Sequence, residues 1–177
     1  MSGGAGFSVR LLGEEDAADF LALRKNALET FPAAFSAAPE DDFLQSEPDV
    51  RALFRRREDG VVFGGFADRL KGGVGLFRDK KLKTRHKVHV WTMFVERDAR
   101  GSGMGRALLE AAIGHAGGMD GVTDIHLGVS DLAPAARALY ESVGFVTWGV
   151  EPRALKIQGP TVSIRQMVLP VQRTGQG

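Results

Sequence analysis

The chain predicts an α/β sandwich built on a mixed sheet, and three observations carry that expectation. Hydrophobic patterning runs in the order β-α-α-β-β-β-α-β-α-β-β. An apolar run over residues 88–95 leads, through closely spaced glycines, into a helix-patterned segment at 104–116. The length of 177 residues, with 44% hydrophobic and 25% charged side chains, fits one globular domain, expected over residues 7–170.

The elements follow in order. Residues 7–12 read as a short strand. Glu14, Glu15 and Asp16 open a helix, where carboxylates suit the positive end. Ala17, Phe20, Leu21, Arg24, Ala27, Leu28 and Phe31 recur at helical spacing until Pro32 stops them. Residues 35–48 form a polar, proline-flanked connection to a second helix at 49–57. Residues 61–67 and 73–78 pair as a hairpin around Asp68, Arg69, Leu70 and Lys71, and 87–95 is the next strand. After the glycine loop and the long helix come a strand at 125–129, a helix at 134–143, and strands at 145–150 and 162–169. Residues 1–6 and 171–177 are expected to be flexible tails.

The stretch Arg100, Gly101, Ser102, Gly103, Met104, Gly105 carries the most chemistry. Glycines between a strand and a helix let several N–H groups converge, and the helix start adds partial positive charge. Together they form a nest for a phosphate or pyrophosphate. Two common phosphate loops do not match. A P-loop needs Gly-Lys-Ser/Thr, which occurs nowhere in the chain. A dinucleotide fingerprint begun at Gly101 would need its third glycine at Arg106. Asp120 has the spacing of that fingerprint's acidic partner, but lies in the turn-like run Gly117, Gly118, Met119, Asp120, Gly121.

The pattern that does match is R/Q-x-x-G-x-G/A, through Arg100, Gly103 and Gly105. It resembles the acetyl-coenzyme A pyrophosphate loop of the GNAT superfamily of N-acetyltransferases, and residues 93–99 resemble the strand end that leads into it. A second landmark follows in the right order. Ala136, Leu139, Tyr140, Gly144 and Phe145 resemble the A-x-x-L-Y-x-x-x-G-F element after the family's fifth strand. Arg24, Ala27, Leu28, Pro32 and Phe35, with residues 149–156, resemble one subgroup, which narrows the fold and leaves the substrate open. The resemblance implies a mostly antiparallel central sheet flanked by helices and splayed between its fourth and fifth strands. It implies acetyl-coenzyme A (acetyl-CoA) as donor co-substrate, held by Phe94, Val95, Arg100, Gly101, Ser102, Gly103, Met104, Gly105 and Arg106, with no metal. The implied reaction is acetyl transfer to a primary amine of a small molecule or peptide, by direct attack in a ternary complex. A non-catalytic acyl-CoA sensor on the same fold is the alternative.

Amide formation from a thioester needs an amine to lose a proton and a thiolate to leave. A thiol pKa of about 8.5 makes that leaving group fair, so acid assistance can be modest. Tyr140, the only tyrosine, is by resemblance the acid near the sulfur. A packed aromatic is the other reading of it. His89 stands where some family members carry a glutamate on the fourth strand, and is the candidate base. Strand alternation would place His89, Trp91, Met93 and Val95 on one face, with Glu96 turned away into solvent. A water relay to bulk solvent is an equal candidate. Where the family has an asparagine for the pantetheine arm this chain has Ala133, with Ser130 and Asp131 as substitutes; where it has a proline after the fourth strand this chain has Arg97. An acyl-enzyme is disfavoured, since there is no cysteine and no serine in an elbow motif.

By the same resemblance, the acceptor walls are Phe31, Phe35, Glu40, Asp41 and Asp42 on one side and residues 153–158 on the other. Aromatic and acidic groups together suit a cationic amine. A net charge of +1 gives no global field for nucleic acid. The basic run Arg78, Lys80, Lys81, Lys83, Arg85, Lys87 lacks interleaved aromatics and reads as a solvated hairpin loop. His86, His115 and His126 lack partners at metal-ligand spacing. No apolar run reaches membrane-span length and no signal segment opens the chain, so a cytoplasmic protein is expected. A homodimer is compatible with the sequence.

Overall fold

The computed structural model describes residues 6–58 and 60–171. The tails expected at 1–6 and 171–177 therefore lie almost wholly outside the described residues. Among the described residues seven strands are formed: β1 (Ser8–Leu11), β2 (Gly60–Phe66), β3 (Leu70–Arg78), β4 (Lys87–Val95), β5 (Asp124–Ser130), β6 (Val146–Lys156) and β7 (Thr161–Pro170). The helices are α1 (Ala17–Thr30), α2 (Glu47–Arg55), α3 (Met104–Gly118) and α4 (Pro134–Ser142). None of them is long and apolar enough to cross a membrane.

Local chemistry explains the boundaries. The acidic run Glu14–Asp16 forms a 3₁₀ turn ahead of α1. Asp16 accepts from Gly13 N–H at 2.9 Å and from both outer nitrogens of Arg10 at 2.7 Å. Helix α2 starts two residues earlier than expected because Ser46 caps it. The Asp49 N–H reaches Ser46 Oγ, and Asp49 Oδ2 accepts from Ser46 N at 2.9 Å. Strand β3 starts at Leu70, not Gly73, because a tight turn closes the hairpin through Ala67 N–H to Arg69 O at 3.0 Å. Strand β6 runs past Val150 to Lys156 because it keeps pairing with β7 as far as Lys156–Thr161, and as an edge strand it tolerates a proline. An irregular stretch between Glu151 and Leu155, with Arg153 at φ 53°, accommodates Pro152 there.

The sheet order is β1-β2-β3-β4-β5-β7-β6. All neighbours are antiparallel except β4 and β5, which are parallel and joined through α3. Their pairing covers only Lys87–Asp124, Val88–Ile125 and His89–His126. Beyond His89 the two strands diverge, which is the expected splay. Helices α1 and α2 cover one face, where Phe20, Val50, Phe54, Trp91 and Phe94 pack together. Helix α3 covers the other with Met104, Leu108 and Leu109. It lies so close that a Cβ on Gly65 would sit 2.7 Å from Met104 Sδ.

One feature of β4 corrects the expected alternation. Gly75 pairs with Trp91 and Gly73 with Phe94, so Thr92 and Met93 together oppose Val74. This is a β-bulge, and Thr92 takes φ 52° to make it. The side-chain sequence flips there. Trp91 packs toward α1, whereas Met93 and Val95 pack toward α3, so the four residues do not share a face.

Candidate active site

The glycine loop is a left-handed step followed by a helix. Gly101 has φ +76° and Gly103 φ +90°, and among the described residues a Cβ on either would meet nothing within 4 Å beyond its chain neighbours. Gly103 is the N-cap of α3, so the first-turn N–H groups at Gly105 and Arg106 have no intrahelical acceptor. Ser102 Oγ donates to Ala99 O at 2.7 Å and accepts from Met104 N at 3.3 Å, which ties the loop together. Met104 is buried in the core, and a Cβ on Gly105 would make ordinary contacts to Leu139, Met93 and Val95. The Arg106 side chain is occupied elsewhere, on Glu110 at 2.9 Å and Ser142 at 3.1 Å. Arg100 donates from Nε to Val95 O at 2.9 Å, and its guanidinium lies 4.2 Å from the Phe31 ring centre.

A salt-bridge cluster braces the strand end that feeds this loop. Glu96, expected in solvent, is only 12% exposed and pairs with Arg69 at 2.7 Å and Lys71 at 3.5 Å. Lys71 also reaches Asp98 at 2.6 Å, which raises the lysine's pKa and lowers the carboxyl's by hydrogen bonding. Alternation misplaced Glu96 because the bulge at Thr92 had already reversed the register.

On the other side of the splay lies a cavity of about 900 Å³. Its walls come from α1 and the following connection (Arg24, Phe35, Asp41, Asp42, Phe43), from β4 (Val90, Trp91, Thr92, Met93), and from β6 and β7 (Glu151, Leu155, Gln166). Tyr140 reaches it from α4. This tyrosine is buried and meets Phe145 edge-on at 5.9 Å. Burial raises its hydroxyl pKa above the ordinary value near 10.0.

The other expected site residues distribute unevenly. Phe35, Asp41 and Asp42 line the cavity, whereas Phe31 is set apart from it, against Phe94 and Arg100. Asp42 is not a free mouth charge: it is buried and receives Arg24 Nε at 3.0 Å and Nη2 at 2.7 Å. Phe94 points its ring toward the α1 side, while Val95 packs toward α3. His89 does not line the cavity with Tyr140. It bonds Asp79 at 3.1 Å, stacks on Phe77 at 4.7 Å and lies 5.6 Å from His126, at the closed end of the splay. Ser130 and Asp131 are engaged too. Ser130 Oγ accepts from Leu132 N at 3.1 Å. Asp131 Oδ1 lies 2.9 Å from Arg165 Nε, an ion pair by distance without hydrogen-bond alignment. Arg24 is the residue that sequence reasoning passed over. A cation inside the apolar stripe of α1 was the available signal.

The model of the Acetyltransferase (GNAT) family matches residues 20–145. The chain belongs to this family. It is 36% identical over 122 residues to a mycothiol acetyltransferase of Actinosynnema mirum, a match covering 65% of this chain and 38% of the relative. A second mycothiol acetyltransferase, from Nocardiopsis dassonvillei, is 32% identical over 67% of this chain and 38% of its own length. The chain thus spans well under half of the curated relatives it matches. Solved structures agree in fold over nearly the whole chain. A GNAT-family acetyltransferase from Streptococcus pneumoniae superposes with a TM-score of 0.84 at 23% identity, covering 93% of this chain and 99% of that one. The yncA structure from Salmonella typhimurium, solved with its cofactor acetyl-CoA, gives a TM-score of 0.83 at 19% identity, covering 97% of each chain.

Proposed function

We propose that this chain is an acetyl-CoA-dependent N-acetyltransferase, one domain over residues 7–170, acting on a primary amine of a small molecule or peptide. The observation that carries the reading is the pairing of a backbone nest with an open sheet. Gly101 and Gly103 hold left-handed geometry with free space around them, on one side of a splay whose other side opens to the cavity. That space and the unpartnered N–H groups fit a pyrophosphate, and among the described residues no side chain beyond the immediate chain neighbours stands within 4 Å of either glycine's Cβ position. Bound acetyl-CoA would supply the acetyl thioester.

The chain's own residues then have distinct tasks. The N–H groups at 101–106 hold the phosphates, with Arg100 fixed to the β4 end. Beyond His89 the β4 edge facing β5 lacks a strand partner, so its backbone groups are available to align the donor arm. Tyr140, kept protonated by burial, holds a proton at its hydroxyl for the departing sulfur. Since His89 is held by Asp79 off the cavity wall, the amine's proton passes to water. The reaction is direct attack in a ternary complex, in a cytoplasmic enzyme.

The test is coenzyme A thiol release from acetyl-CoA over a broad amine panel, with calorimetry of acetyl-CoA binding. Binding without thiol release for any amine would favour a non-catalytic acyl-CoA sensor. Absence of binding would sink both readings.

A further inference from the structure

The Arg24–Asp42 pair leaves one edge of a buried guanidinium uncommitted. Arg24 is 6% exposed, yet it lines the cavity. Its Nε and Nη2 are given to the two oxygens of Asp42. Nη1 has no hydrogen-bond partner among the described residues. A guanidinium is planar, so with its Nε–Nη2 side turned to Asp42 the outer edge is the one left for the cavity. Phe35 at 5.3 Å and Trp91 at 5.5 Å from the guanidinium carbon hold that plane. The residue is largely buried and held in place while Nη1 remains reachable from the cavity, which suits a planar anion taken through paired N–H donors.

The rest of the wall agrees. Asp42 is paired with Arg24 and is therefore not a free anchor for a cationic acceptor, while Asp41 is exposed and held in place by Ala38 N–H on Oδ1 at 2.7 Å. Arg56 and Arg57 also line the cavity and are exposed, and among the described residues neither side chain has a hydrogen bond or ion pair. Asp41 and Glu151 on β6 are the carboxylates of the lining that Arg24 does not take, and either suits the ammonium group of a molecule that also carries a carboxylate. Tyr140 faces the same cavity, so a molecule anchored at Arg24 can present its amine there.

Resting on the acetyl-transfer reading of this site, we infer that the acceptor is an amino carboxylate, an amino acid or a short peptide, whose carboxylate is bound by the outer edge of Arg24. The competing account is that the pair only pins the 35–43 connection to α1.

The experiment compares each standard amino acid, and a set of dipeptides, with the corresponding carboxamide. Binding is measured by calorimetry on protein saturated with coenzyme A, and turnover by thiol release. A charge-assisted hydrogen bond of this kind makes at least one acid about ten- to a hundredfold better than its amide. Whether free amino acids or dipeptides lead separates the two sources. Arg24→Leu with Asp42→Leu removes the pair without stranding a charge, and should bring the acid down to its amide's level through KM rather than kcat. Arg24→Lys keeps the charge, loses the fork and should give a partial loss. If no acid surpasses its amide, or the double variant keeps the preference, the inference falls. If variants weaken acid and amide alike, Arg24 only pins the connection. Selective binding of an acid without thiol release would keep the carboxylate site and count against acetyl transfer.

Discussion

The loop before α3 and the wall behind α1 face the same splay, but they are made of different material. The loop works through backbone: two glycines in left-handed conformations, a helix start, and free space where side chains would be. The wall works through side chains: a buried ion pair held between aromatic rings, with a tyrosine at the far side. A site of that kind depends most on its left-handed glycines, here Gly101 and Gly103. A side-chain site depends on contacts made between distant parts of the chain. The two should therefore fail differently when altered.

The largest effect is expected on the wall. Arg24→Met leaves Asp42 buried at 5% exposure without a counter-charge. Stranding one member of a buried pair costs about 3–5 kcal/mol. Replacing both members with leucine should recover most of that stability. Urea unfolding of the single and double variants checks it, and equal losses in both would mean that packing, not charge, dominates.

The loop should show the reverse pattern, a folded protein that has lost its ligand. Gly103→Val adds atoms where nothing of the protein stands, so the direct penalty is the left-handed backbone, of order 1–2 kcal/mol. The same atoms fill the phosphate nest, and acetyl-CoA affinity should fall by about a hundredfold or more, the loss of two or so charge-assisted hydrogen bonds. Gly105→Ala, with Cβ contacts no closer than 3.5 Å, should fold and bind nearly as before. Calorimetry on both variants distinguishes the nest from a loop that merely turns.

This difference also explains what the sequence revealed. The proposed phosphate loop was legible locally, because the spacing of Gly101, Gly103 and Gly105 and a following helix can be read within a few residues. The element order and the splay followed from the same kind of pattern and from resemblance. The wall was misread because its decisive contact joins Arg24 to Asp42, eighteen residues apart, and turns a mouth charge into a saturated one. The faces of Met93, Val95 and Glu96 relative to His89 were misread for another reason. The bulge at Thr92 adds one residue to β4, and strict alternation cannot anticipate an insertion that costs backbone strain.

Tyr140 joins the two regions, since it lines the cavity and sits on the helix whose Ser142 is tied to Arg106. Tyr140→Phe should lower kcat about a hundredfold, the low end for a general acid, with little change in acetyl-CoA affinity. As the chain's only tyrosine, it can be titrated directly by phenolate absorbance. Its folded pKa lies above the unfolded value near 10.0, so its contribution to stability is complete below that pH and fades as pH rises through the folded value. The wild type should therefore lose stability in alkali faster than Tyr140→Phe. A titration midpoint at the ordinary value would show an accessible hydroxyl and weaken the acid assignment.

The smallest effect is expected at the bulge, where the two regions share β4. Thr92 is β-branched and holds φ 52°, a conformation that costs such a residue about 1–2 kcal/mol. Glycine would relieve that strain but gives back about 0.5–1 kcal/mol of backbone entropy. Thr92→Gly should therefore be neutral or stabilising by up to about 1 kcal/mol. The bulge would persist, with Trp91 still facing α1 and Met93 still facing α3. Thr92 is buried at 8% exposure on the cavity wall, so its removal should alter acceptor KM while leaving acetyl-CoA affinity unchanged. Thermal melts with acceptor and donor titrations test both halves. A marked loss of stability would show that the threonine side chain contributes more than its backbone costs, and a drop in acetyl-CoA affinity would show that the loop depends on the wall through this one residue.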